Sequence, residues 1–105
     1  MNKNNTVEEI NISIHNLLEE WNISREHNDK IVTQVIGLQL RKIRLVNKMT
    51  QTRVAKAISV TFQQIQKYEK STNAIPLSKL KIFCEATNTD WSYFFRPLDA
   101  LDKKI

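Results

Sequence analysis

The chain has 105 residues, 41% of them hydrophobic and 26% charged, which suits one globular domain with its own core. A single cysteine, Cys84, excludes an internal disulfide framework, and two histidines, His15 and His27, offer no zinc spacing. The formal charge of +5 is uneven: residues 1–36 carry three basic against six acidic side chains, and residues 37–105 thirteen against five. A basic two-thirds behind an acidic start points to a polyanion-binding domain carrying an appendage of different purpose.

The opening MNKNNTVEEI has no apolar leader-like run, and no stretch approaches the length of a membrane span, so a cytoplasmic protein without membrane contact is expected. Few breakers interrupt the chain: Gly37, Pro76 and Pro97 are the only glycine and prolines. Stripes of period 3.6 therefore dominate, and the expected fold is all-α.

Thr6 and Glu9 stand at capping-box spacing and open a helix over residues 7–21. Val7, Ile10, Ile14, Leu17, Leu18 and Trp21 form its apolar stripe. This stripe needs cover, either from the chain's own domain or from a second subunit. Ile10, Ile14, Leu17, Leu18 and Trp21 are thus a candidate dimer interface. A polar connection over 22–28 leads to a second helix over 29–47, with Val32, Val35, Ile36, Leu40 and Ile43 inward.

Thr50 suits the N-cap of a helix over 51–58, and Thr61 the N-cap of another ending near Lys70. Ser71 and Asn73 favour a turn, and Pro76 keeps Ile75 out of helical geometry. Ser78 can cap the next helix, with Leu80, Ile82, Phe83 and Cys84 inward and Cys84 as core filler. A last short helix from Asp90 would bury Trp91, Phe94 and Phe95 and stop before Pro97, leaving a frayed tail.

The helices over 51–58 and 61–70 form a two-helix unit that must cross steeply, which asks for a small residue such as Ala55. Val60, Ile65 and Tyr68 would plug the second helix onto the first. Phe62, Gln63, Gln64, Gln66 and Lys67 are left without core duty. A glutamine amide offers a donor and an acceptor side by side, the complement of adenine's N6 and N7 edge, and Phe62 can touch a thymine methyl. The plainer reading of QQIQ is a solvated helix face.

At IGLQLRKIR, TQTRVAKAISVTFQQIQKYEK and NAIPLSKLKIFCEATNTDWSYFF the sequence resembles the helix-turn-helix domains of the Cro and cI phage repressors, over about residues 36–96. Gln51, Ala55 and Ile65 match the family pattern, whereas Ser59 and Ser71 stand where it usually has glycine.

The resemblance implies a compact five-helix phage-repressor-like domain over 31–97. An N-terminal extension with an amphipathic helix (1–30) and a flexible tail (98–105) flank it. It implies base contacts from Phe62, Gln63, Gln64, Gln66 and Lys67. Phosphate contacts would come from Gln51, Thr61, Lys70, Thr72 and Asn73, with Arg53 and Lys56 adding charge. It also implies a structural ion pair between Arg44 and Glu69.

The expected function is a sequence-specific double-stranded-DNA-binding transcriptional regulator, most simply a repressor that binds a palindromic operator as a homodimer. The alternatives are the antitoxin of a toxin–antitoxin pair, with a toxin as protein partner, or a protein-interaction module. No nucleophile–base pair, phosphate-cradling glycine loop or metal cluster can be assembled, so neither an enzyme nor a bound cofactor is expected.

Overall fold

A computed structural model describes residues 6–24 and 29–102. All regular structure among them is helical: α1 (Val7–Ser24), α2 (Asp29–Val46), α3 (Gln51–Ile58), α4 (Phe62–Lys70), α5 (Leu77–Thr87) and α6 (Ser92–Asp102). None of these helices is long and apolar enough to cross a membrane.

α1 opens on the expected capping box. The Glu9 backbone N–H donates to Thr6 Oγ1 and the Thr6 N–H to Glu9 Oε1, both at 3.1 Å. The helix runs to Ser24, three residues beyond the expected end. Its stripe packs within the chain. Ile10 and Ile14 are buried with Ile31, Val35 and Leu38 of α2, and Leu17 and Leu18 pack half-buried beside them. This corrects the interface expectation for Ile10 and Ile14: α2 covers them, so they are not left for a second subunit. The side chain of Trp21 lies outside the described residues.

The principal core is separate from that cluster. Leu40 and Ile43 of α2 meet Val54, Ala55 and Ile58 of α3, Ile65 and Tyr68 of α4, Leu80, Phe83 and Cys84 of α5, and Phe94 of α6. Phe83 and Phe94 meet edge to face, with ring centres 6.1 Å apart. Burial pushes the Cys84 thiol up from its ordinary pKa, with smaller contributions from Asp90 and Glu85.

Where α2 crosses α4 the only glycine is required by space. A Cβ on Gly37 would lie 2.6 Å from the Tyr68 carbonyl oxygen and 2.6 Å from Ser71 Oγ. The crossing thus brings backbone to backbone in a way a side chain would prevent.

Three expectations fail near the C-terminal end. Pro76, not Ser78, is the N-cap of α5, and no side chain caps that helix. Ile82, Trp91 and Phe95 are exposed at 36, 38 and 40%, so of the last helix's expected aromatic anchors only Phe94 is fully buried. α6 also does not stop before Pro97 but continues through it to Asp102. Proline lacks the N–H that would bond the carbonyl four residues earlier, that of Tyr93. The Gln39 side-chain amide donates to this carbonyl at 3.3 Å, so the helix survives its missing bond.

Candidate nucleic-acid interface

α3 and α4 are eight and nine residues long, and only Ser59, Val60 and Thr61 separate them. Both helices start the same way. Thr50 and Thr61 adopt extended backbone, and their hydroxyls accept from the N–H groups of Arg53 and Gln64, each at 3.1 Å.

They also end alike. The Ser59 N–H donates to the Lys56 carbonyl and Val60 to that of Ala55, while Ser71 donates to Tyr68 and Thr72 to Lys67. This is the Schellman arrangement, which needs a left-handed residue at its centre. Ser59 and Ser71 provide it at φ of 59° and 65°, in the places where glycine is usual. Lys48 and Asn88 do the same after α2 and α5. Nothing in the sequence marked Lys48 as left-handed, because lysine has no local bond that favours that region.

Behind α4, Ile65 and Tyr68 are 3 and 5% exposed and anchor the helix in the core. On its outer side Phe62 is 40% exposed. Gln63 and Lys67 are exposed, and Gln64 and Gln66 are half-buried. Thr61, Lys70, Thr72 and Asn73 are exposed at the two ends of the helix, and Arg53 and Lys56 are exposed on α3. Thr72 has its donors engaged: both its N–H and its hydroxyl go to the Lys67 carbonyl, at 3.0 and 3.2 Å. Both bonds serve the cap, and the exposed hydroxyl is a rotor that can also turn outward.

One carboxylate organises the rear of the unit. Glu69 is 6% exposed and takes Arg44 in a two-pronged contact, Nε to Oε2 at 2.6 Å and the terminal nitrogen to Oε1 at 3.0 Å. Arg44 also donates to the Met49 carbonyl at 3.1 Å, tying the turn before α3 to the same network. Two further donors on Glu69 were not foreseen: Arg41 Nε at 3.2 Å and the Gln51 amide nitrogen at 3.1 Å. Arg41 could have been suspected, because it stands three residues before Arg44 on one face of α2. Gln51 was expected to point at phosphate, and one of its two amide N–H bonds is instead turned inward onto Glu69.

A pair of short helices joined at a three-residue turn, with the second anchored from behind and polar in front, defines a helix-turn-helix unit. Sequence comparison agrees: the family profile described as helix-turn-helix matches residues 40–94. An HTH-type transcriptional regulator of Rickettsia conorii is 35% identical over 72 residues, 69% of this chain and 58% of that protein. One from Sinorhizobium fredii is 41% identical over 68 residues, 65% of this chain and 46% of its own length. A transcriptional regulator in the ATPase CF(0) region of Rhodospirillum rubrum is 36% identical over 69 residues, 66% of this chain and 64% of its own. The chain belongs to the helix-turn-helix family. It spans about half the length of the first two of these relatives.

Proposed function

We propose that this protein is a sequence-specific double-stranded-DNA-binding transcriptional regulator of the cytoplasm, most simply a repressor that occupies a palindromic operator as a homodimer. The observation that carries this reading is the two-sidedness of α4. Ile65 and Tyr68 are buried behind it, while Phe62, Gln63 and Lys67 stand exposed in front, on a helix whose first turn is capped. Such a helix gains little from packing for its length, and its outer side chains have the chemistry to read base edges in a major groove. The names of the relatives as transcriptional regulators point the same way.

On this reading Phe62, Gln63, Gln64, Gln66 and Lys67 meet base edges. Gln51, Thr61, Lys70, Thr72 and Asn73 lie along the flanking phosphates, with Arg53 and Lys56 adding charge. Gln51 can serve both sides, since one amide N–H bonds Glu69 and the other can donate outward.

Selection of bound sequences from a random duplex pool, at two salt concentrations, tests the proposal. A two-fold symmetric consensus retained with steep salt dependence is the expected result. Retention with no sequence preference, or none at low salt, would refute it.

A further inference from the structure

A polar cleft of about 350 Å³ opens between α1, α2 and the end of α4, beside the candidate DNA-reading helix. Its size falls at the lower end of the roughly 300–1,000 Å³ of small-molecule sites. α1 lies wholly before residue 40, where the family match begins, so one wall stands outside the matched residues.

The lining has a definite chemistry. Leu17 of α1 and Leu38 of α2 supply apolar surface. Glu20 of α1 brings a negative charge, Arg41 of α2 and Lys70 of α4 bring two positive ones, and Gln34 adds an amide. Glu69 also reaches the cleft, but Arg44 meets its single charge, so the group of Glu69, Arg44 and Arg41 keeps one net positive charge. An anion alone would be opposed by Glu20, and a cation alone by Arg41 and Lys70. A molecule bearing both charges on a short aliphatic body matches all the walls at once.

We propose that this cleft binds a small aliphatic zwitterion of amino-acid size, carboxylate toward Lys70 and Arg41 and ammonium toward Glu20, and that its occupancy weakens DNA binding. The second half rests on the proposed function. Lys70 ends α4, and a ligand carboxylate that holds its ammonium competes with the phosphate assigned to it. Arg41 carries the same influence inward, because it bonds Glu69 at 3.2 Å and Glu69 holds Gln51 at 3.1 Å.

The test uses the full chain, isotope-labelled and followed by amide NMR, with L-leucine as probe. Leucinamide, which lacks the carboxylate, and 4-methylpentanoate, which lacks the ammonium, are the one-charge controls. Leucine is expected to shift the amides around Leu17, Gln34 and Lys70 saturably, with each control about tenfold weaker or more. Asn16→Trp, which fills the cleft from the exposed side of α1, should abolish the shifts, and Glu20→Gln should weaken them about tenfold. Leucine should also lower retention of the selected DNA by the native protein and not by Asn16→Trp.

No saturable shift, equal binding of the controls, or leucine binding that survives both substitutions would overturn the cleft assignment. Binding without any loss of DNA retention would overturn the coupling. The NMR result stands whether or not any DNA is selected, so failure of the DNA-binding reading is seen separately.

Discussion

Gln39 on α2 donates its side-chain amide to the main-chain carbonyl of Tyr93, 54 positions away, at 3.3 Å. That carbonyl is the one left without a helical donor by Pro97. Lys42, nearly one turn after Gln39, sets its ammonium 5.5 Å from the centre of the Tyr93 ring. α2 therefore holds residue 93 by its backbone and by its ring, and α6 is docked where it would otherwise be weakest. Replacing Gln39 by Leu should cost about 1 kcal/mol or somewhat more, since it leaves the carbonyl of the half-buried Tyr93 without its donor. In a Pro97→Ala background, where the alanine N–H restores the missing donor, the same change should cost about 1 kcal/mol less. Urea denaturation of the four proteins gives the coupling directly, and additive effects would remove this account.

Gly37 predicts a clash. Gly37→Ala improves helix propensity by about 1 kcal/mol, yet its methyl group would meet a backbone carbonyl at 2.6 Å. The crossing of α2 and α4 must then open, with a net loss of about 1–3 kcal/mol. A thermal melt showing the variant as stable as the parent would contradict the close approach.

The two left-handed serines should respond unequally. Ser59→Gly relieves a strained φ of 59° and should stabilise the protein by about 1 kcal/mol. Ser71→Gly relieves a similar strain but removes the bond from Ser71 Oγ to the Thr33 carbonyl at 3.3 Å, so it should gain little. Denaturant midpoints of the two variants test the ordering.

Arg44 and Glu69 form a buried pair whose geometry makes removal of one side expensive. Arg44→Met should destabilise by about 3–5 kcal/mol, because Glu69 then keeps only Arg41 and Gln51. Combining it with Glu69→Leu should recover part of that loss. A double variant no better than the single one would show that packing, not charge, dominates there.

For DNA, Gln63→Ala should reduce affinity for the best site by about 1–3 kcal/mol and relax preference at one or two base pairs. Gln51→Ala should instead weaken all sites alike and leave the salt slope unchanged, because an uncharged amide neutralises no phosphate. Binding isotherms on selected and scrambled duplexes distinguish the two, and the assignment falls if Gln63→Ala leaves preference unchanged.

The sequence by itself determined the helices around the interface and which face of α4 is buried. Thr50 and Thr61 stand before apolar periodic runs, and a hydroxyl that bonds the third N–H is a local device needing no tertiary information. Ile65 and Tyr68 are three residues apart, so one face of that helix had to be inside whatever covered it. Other features depended on contacts between distant parts of the chain. Pro97 reads as a stop because proline removes a bond, and only the approach of Gln39 from α2 lets α6 continue. The stripe of α1 demands cover, but periodicity cannot say which surface supplies it, and the folded chain sets Ile31, Val35 and Leu38 against it. Gln51 likewise looks like a free amide in the sequence. It faces Glu69 because the crossing of α3 and α4 brings the start of one helix to the end of the other. Local bonding patterns are written residue by residue, whereas partners many positions away are set by the packing of whole helices.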